Sequence, residues 1–510
     1  MNLSLSQPKY ISELIPIDDI KNKWKPGSRI LITAQTGSGK SEFIKEALYK
    51  HCKDTNQRTL LLSNRILLRE QIKEDLKEKE NEIVTVINFQ YLETRILSGG
   101  DLAQLFSQYD YIVYDEAHYV FSDSQFNRNT DLLIQPLKTT PQDKIFLFLT
   151  ATPQAIYDYQ STFDFTYKLP VDYSYIKKVY FYTSEEVAES ILQNVPLSKR
   201  AIYFSSSAKK ALELSQRFMD SSFFCSKGNR LADFSNTNVL QQIAQNSKFQ
   251  NHFLFTTKVL DNGINLKDIS LSHILIDMID PITFIQCLGR KRILDKNDTI
   301  TLYIKSYHDG NLKFKLQRLE EKIDLVKERK QLGEEEFKNK YRKINFDDII
   351  DNDFGINEAK YQNCKTQARL LRQMIGQQEY RNKQDVSSKK FSLNSYENYI
   401  CNLINFNPEK VEDGNIKFEK VSVKTLLQSY IGKKMFKEDQ ERFKYLFFDK
   451  IFSPKNTNFR RRGQKSIRAI IQEDELLYNI VSIQERAGEN RGKYYWHIFY
   501  TEEEKNEQTQ

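Results

Sequence analysis

The sequence predicts two α/β domains in tandem, each a parallel sheet covered by helices, followed by a mainly helical C-terminal third. Three observations lead there. At roughly 150 residues per domain, the 510 residues make about three domains, each able to bury its own core. From Ser28 to about Lys305 short apolar runs alternate with helical patterns, and beyond Ser306 the texture becomes charged helix. Only 17 Gly and 11 Pro occur, too few for a collagen-like, linker-dominated or low-complexity chain. With 39% hydrophobic and 28% charged residues the chain has enough apolar material for cores and a large polar surface.

The runs that read as buried strands come in two sets. The first comprises RILITA from Arg29, TLLLSN from Thr59, IVTVIN from Ile83, YIVYDE from Tyr111 and KIFLFLT from Lys144. The second comprises KKVYFYT from Lys177, RAIYFSS from Arg200, HFLFTT from His252, SHILID from Ser272 and TITLYIK from Thr299. Their separation near Leu169 to Ser174 sets expected domains at 1–170 and 171–308, with an active site between them. A helical accessory region is expected over 309–435. There Leu312, Leu316, Leu319, Ile323 and Val326, then Tyr361, Cys364, Ala368, Leu371 and Ile375, step by three and four. Such stripes, each about two heptads long, suit docking on a neighbouring domain. The Asp-rich stretch 347–353 and the polar run 377–390 read as loops.

A basic module is expected over 436–510. Helical stretches over 440–451 and 466–473 precede YNIVSIQER and KYYWHIFY, two β-prone runs around AGENRG that read as a hairpin. Helices followed by a hairpin suit a winged-helix module. Arg460, Arg461, Arg462, Lys465 and Arg468, with Tyr494, Tyr495 and Trp496 beside Arg491 and Lys493, have the composition of a nucleic-acid surface. A solvated basic face over a Tyr/Trp core strand is the equal alternative.

The net charge of +8 is a mild cationic bias that carries little by itself. The five cysteines form no Cys-x-x-Cys and are too widely spaced for a disulfide framework or a zinc site, so a reducing, cytoplasmic setting is expected. MNLSLSQPKYISELIPIDDI lacks the basic head and apolar core of a signal peptide, and no run of about 18 apolar residues predicts a membrane span.

The segment with the clearest chemistry is AQTGSGKS, between the strand RILIT and the helical pattern SEFIKEALYK. Backbone N–H groups from Gln35, Thr36, Gly37, Ser38 and Gly39 can wrap a phosphate, since Gly37 and Gly39 put no Cβ in the way. Lys40 adds charge for the β and γ phosphates, and the Ser41 hydroxyl can hold Mg²⁺. A second metal carboxylate is needed at the end of a buried strand. YIVYDEAH supplies it: Asp115 is assigned to Mg²⁺ and Glu116 to orienting or deprotonating the attacking water.

These residues resemble superfamily two helicases with a DEAH box. AQTGSGKS looks like their motif I, LSNRILLREQ from Leu62 like motif Ia, Asp115 to His118 like motif II and LTATP from Leu149 like motif III. TKVLDNGINL from Thr257 looks like motif V, and QCLGRKR from Gln286 like motif VI, all in family order. The resemblance implies two RecA-like domains with ATP in their cleft and a nucleic-acid strand lying across both. It implies Gln286 near the γ-phosphate, Arg290 as an arginine finger and Gly263 at the nucleotide. Cys287 replaces one family arginine and Ile293 another, and Arg292, one residue early, stands in for the latter. Thr150 and Thr152 would link ATP state to strand grip, and Arg65, Thr257 and Lys258 would touch strand phosphates. For the adenine, Tyr10 and Trp24 are the candidate rings.

The expected activity is an ATP-dependent helicase or translocase, on DNA rather than RNA because of the terminal winged helix. Protein partners are expected through the C-terminal region. The alternative is an ATP-driven clamp or assembly switch without unwinding, motivated by the incomplete motif VI.

Overall fold

The computed structural model describes residues 10–35, 37–63, 83–134, 142–160, 162–226, 228–258, 265–341, 349–351, 353–382, 393–417, 423–451, 463–473, 476–488 and 490–501. Arg65, Thr36, Gly263 and the Arg460 to Arg462 cluster lie outside them.

The first sheet holds β1 (Arg29–Thr33), β2 (Thr59–Leu62), β3 (Val84–Ile87), β4 (Tyr111–Asp115), β5 (Ile145–Thr150) and β6 (Phe165–Lys168) in the order β3-β2-β4-β5-β1-β6. Every pairing is parallel. Ile30 and Ile32 of β1 belong to one buried cluster and Leu31 to another, just as Leu147 and Leu149 of β5 are separated from Phe146 and Phe148. Successive side chains of a strand point to opposite faces, so a sheet buried on both faces needs unbroken apolar runs. That is why these strands are legible in the sequence. Each Leu, Ile or Phe so buried contributes about 1.5–3 kcal/mol.

The second sheet contains β7 (Ile176–Tyr182), β8 (Arg200–Ser205), β9 (Ser221–Phe224), β10 (Phe253–Thr256), β11 (Leu271–Asp277), β12 (Ile300–Lys305) and the short β13 (Glu412–Asp413). Its order is β13-β7-β12-β11-β8-β10-β9, again parallel throughout. The two sheets are tandem RecA-like domains. All ten expected strands form; β6, β9 and β13 are additional and lie at sheet edges.

The C-terminal region starts with a long helix, Asp309–Lys340, interrupted at Gly333 (φ 76°), and a second, Glu358–Asn382. The polar stretch expected as a loop from Gln377 is helical as far as Asn382, because it continues the helix already seeded by the apolar stripe. Tyr361, Cys364, Ala368, Leu371 and Met374 of this second helix join the core that contains β7, β8, β11 and β12. Its other side meets the first domain. Ala359 enters the aromatic core around Phe146 and Tyr159, its N–H donates to Asp131 Oδ1 (2.8 Å), and Thr366 Oγ1 and Arg369 Nε bond Asp158 (2.7 and 3.1 Å). The helix therefore spans both lobes.

The last part runs helix Val423–Tyr430, an extended segment, helix Lys437–Tyr445 continuing through Leu446–Ile451, helix Gln464–Glu473, and an antiparallel hairpin of β14 (Tyr478–Gln484) and β15 (Tyr494–Tyr500). The extended segment pairs with β15 through Met435 N–H to the Trp496 carbonyl (3.0 Å) and Trp496 N–H to that of Met435 (2.8 Å). Trp496 and Tyr495 are buried and Tyr494 is exposed, so the aromatic cluster is mainly core. Arg468 is drawn inward too, donating to the Ile480 carbonyl at 2.6 Å.

Candidate nucleotide site and inter-lobe cleft

The loop after β1 turns back on itself at Gly37 (φ 92°) and Gly39 (φ 82°), conformations that any Cβ disfavours. Ser38 closes the turn by donating from both its N–H (3.3 Å) and its hydroxyl (2.6 Å) to the Gln35 carbonyl. A helix then starts at Lys40, with its N-terminal end at the loop. The Lys40 ammonium is buried, 3.2 Å from the Ala34 carbonyl and 3.4 Å from Glu116 Oε1. Ser41 follows on the same turn.

β4 delivers Asp115 and Glu116 to the same edge. Asp115 is buried and accepts from Ser63 Oγ at 3.3 Å. Glu116 sits in the left-handed region (φ 52°), a conformation that costs a non-glycine residue of order 1 kcal/mol or more. His118 was given no role from the sequence. Its Nδ1 lies 2.9 Å from Thr150 Oγ1 and 3.5 Å from Glu116 Oε2, and Thr152 N–H donates to the same Thr150 hydroxyl at 3.0 Å. A polar chain thus runs from Glu116 through His118 to Thr150 and Thr152. Nothing in the local motif distinguishes such a histidine from a packed polar residue; the neighbouring strand β5 supplies the partner.

The second lobe meets the loop through Arg292. Its Nη1 would stand 2.9 Å from a Cβ placed on Gly37, and its Nε and Nη2 donate to Asn265 Oδ1 at 2.9 and 2.5 Å. Beneath it Lys291 forms a fully buried pair with Asp298 (2.6 Å to Oδ1) and also donates to the Asp268 carbonyl at 2.9 Å, fixing the segment. Arg290 is buried against its own helix, Pro281–Leu288, with Nε donating to the Gln286 carbonyl at 3.2 Å. Gln286 is buried in that helix. The guanidinium packed on the loop is therefore that of Arg292, while that of Arg290, the other motif VI arginine, is held at the Gln286 carbonyl. Gln35 Oε1 also spans the cleft, accepting from Asp172 N–H at 3.4 Å.

Of the two rings considered for the base, Tyr10 is half exposed and its Cδ1 is 3.6 Å from a Cβ placed on Gly39. Trp24 is buried with Phe43 and Tyr167, its Nε1 donating to Tyr167 Oη at 3.2 Å. Thr257 and Lys258 follow β10, and Lys258 Nζ lies 4.1 Å above the ring of Phe126 in the first lobe. Among the described residues no cluster of three or more His, Cys, Asp or Glu side chains could hold a metal, and no helix is long and apolar enough to cross a membrane. The oxygen donors Ser41 and Asp115 nevertheless suit Mg²⁺, which takes one or two protein oxygens and completes its shell with phosphate and water.

The DEAD/DEAH box helicase family model matches residues 17–159. No curated protein sequence matches significantly. Among solved structures, a Dbp5 variant from S. cerevisiae bound to RNA and ADP BeF3 is similar at 17% identity, covering 59% of this chain and 84% of that one with a TM-score of 0.42. The Escherichia coli DEAH/RHA helicase HrpB is similar at 14% identity, covering 57% and 42% with a TM-score of 0.39. Mss116 bound to ssRNA and UDP-BeF is similar at 13% identity, covering 60% and 72% with a TM-score of 0.43. The match spans the phosphate loop and both motif II carboxylates, so residues 17–159 form a DEAD/DEAH box helicase domain.

Proposed function

We propose that the protein couples ATP hydrolysis between its two lobes to movement along a nucleic-acid strand, DNA in preference to RNA. The observation that carries this reading is the placement of Arg292, a cation of the second lobe, on Gly37 of the phosphate loop. Phosphoryl transfer depends on positioning and positive charge, so a guanidinium arriving from the other lobe makes hydrolysis sensitive to cleft closure. In this reading Arg292 takes the finger role, with Arg290 and Gln286 supporting the segment that presents it. Lys40 and the loop N–H groups hold the phosphates, and Glu116 orients the attacking water. Ser41 and Asp115 would hold Mg²⁺, which neutralises charge on the β and γ phosphates when bound. The chain Glu116–His118–Thr150–Thr152 would transmit the state of the site towards the strand. Tyr10 is the ring placed to lie against the base.

The preference for DNA rests on reading the C-terminal module as a winged helix, a reading supported by its order of helix, extended segment, two helices and hairpin. A cytoplasmic setting accords with the five cysteines, all buried and none in a disulfide. The test is ATPase activity with single-stranded DNA, duplex DNA and RNA at one salt concentration, alongside displacement of a tailed duplex. Lys40→Ala and Glu116→Gln should each abolish turnover while leaving the fold intact. Persistent turnover in both defeats the assignment, and strand-stimulated hydrolysis without displacement or directional movement selects the clamp.

A further inference from the structure

Phe126 is an apolar ring in the wrong place for packing. It is 71% exposed, the most exposed of the large hydrophobic side chains among the described residues. A lone surface apolar residue ordinarily needs no explanation, but this one is held firmly. The short turn Asp123–Gln125 precedes it, and the N–H groups of Phe126 and Asn127 both donate to the Asp123 carbonyl at 2.9 Å. The next residue, Asn127, donates its side-chain amide to both oxygens of the buried Glu93 at 3.0 Å. Its own carbonyl accepts from Thr130 Oγ1 at 3.0 Å. The ring is therefore displayed from a braced backbone.

What faces it is a cation of the other lobe. Lys258 Nζ stands 4.1 Å above the ring centroid, two residues past the end of β10, at the C-terminal edge where parallel sheets bind ligands. Phe126 follows β4 at the corresponding edge of the first sheet. The pair thus bridges the cleft on different elements from the phosphate loop and Arg292. Burial raises the pKa of the Asp123 carboxyl, and the Lys258 charge partly opposes that rise.

We propose that Phe126 is a base-stacking platform for the bound strand, with Lys258 leaving its face to take the adjacent phosphate. Stacking of a base on an aromatic ring is stronger than an exposed cation–π contact, and a phosphate is a better partner for an ammonium than a ring quadrupole, so both exchanges run towards the strand. Stacking tolerates any base, which suits a motor that grips without reading sequence. This assignment rests on the nucleic-acid function proposed above and adds a contact that no helicase motif in the chain supplies.

The test compares wild type with Phe126→Leu, Phe126→Ala and Phe126→Trp. Fluorescence anisotropy at fixed salt would follow fluorescein-labelled oligothymidylate, oligouridylate and an equally long strand of abasic spacers. The leucine and alanine variants should bind the base-bearing strands about tenfold more weakly. Phe126→Trp should restore that affinity, and all four proteins should bind the abasic strand alike. Lys258→Ala should instead weaken every strand and lower the salt dependence by about one phosphate contact. The leucine variant keeps an apolar side chain on the turn, so a normal melting transition for it separates lost stacking from lost fold. Full affinity of Phe126→Leu for oligothymidylate and oligouridylate, or an equal loss on abasic strands, overturns the platform. Wild type that binds no strand at all overturns the function itself and this contact with it.

Discussion

Acidification should loosen the second lobe through His252. The imidazole is buried, stacked on Phe253 with ring centroids 4.1 Å apart. Both its nitrogens are committed: Nε2 lies 3.2 Å from the Pro196 carbonyl, and Nδ1 lies 3.2 Å from Arg442 Nη2 of the C-terminal module. An N–H at Nε2 and a lone pair at Nδ1 satisfy both, so a second proton would meet a guanidinium. Burial first, and then the Arg442 charge, lower its pKa from 6.5 to about 4, with Arg200 adding to the depression and Asp220 and the Pro196 carbonyl opposing it. Above pH 6.5 the ring is neutral in folded and unfolded chains alike and stability is unaffected. Below it only the unfolded chain takes the proton, so stability falls as pH drops and levels off below about 4. The shift corresponds to about 3 kcal/mol in full and about 2 kcal/mol at pH 5. His273, stacked on Tyr303, is lowered to about 4 chiefly by burial, then by His252 and Lys199, and adds a loss of the same sign. Urea unfolding at pH 7.5 and pH 5 measures this in wild type, His252→Gln and His273→Gln. Each variant should be less stable than wild type at pH 7.5 yet lose about 2 kcal/mol less on acidification, the carboxylate contribution being common to all. A pH dependence in His252→Gln as steep as in wild type refutes the reasoning.

Three further outcomes follow from the cleft. Arg292→Ala should lower kcat by roughly 10³-fold with little change in KM for ATP, read from steady-state kinetics with saturating strand. Lys291→Met removes one partner of a pair whose side chains are fully buried and should destabilise the fold by about 3–5 kcal/mol, visible in the unfolding midpoint. Asp158→Ala takes away the acceptor of Thr366 and Arg369 and should speed amide exchange over residues 358–370, by about 1 kcal/mol of lost protection for each bond.

The strands that the sequence reveals are those buried on both faces. β1, β4 and β5 read as apolar runs because each side chain, in or out of the pleat, enters a core. β6 (Phe165–Lys168) and β9 (Ser221–Phe224) escaped notice because each has only two apolar side chains among polar ones, too few for a run, and β13 has only two residues. The phosphate loop and motif II were legible because their chemistry depends on neighbours in sequence. Arg292 could be offered only as a substitute, since which arginine reaches the loop depends on how Lys291 is buried against Asp298 and how Asn265 holds the guanidinium. Phe126 carried no motif whatever, and its position becomes meaningful only when Lys258 arrives from the other lobe. Tyr495 and Trp496, adjacent in sequence, suggested a stacking surface, but the hairpin is covered on both sides: Trp496 joins the helical core while Tyr495 packs on Phe436.

The way the lobes are joined bears on how the cleft can work. Arg292 on Gly37 and Lys258 on Phe126 are contacts for which a triphosphate and a strand would compete, so both can be exchanged during a cycle. The helix Glu358–Asn382 is a third link of another kind, with unequal attachments. On the second lobe it buries Tyr361, Cys364, Ala368, Leu371 and Met374, whose separation from the core would expose apolar surface at about 25 cal/mol per Å². On the first lobe it buries Ala359 and donates hydrogen bonds to Asp131 and Asp158, while Asn357 just before it donates to the Arg128 carbonyl. Such bonds are worth about 1 kcal/mol each because water can replace them. The balance of these attachments favours the helix staying with the second lobe if the lobes separate.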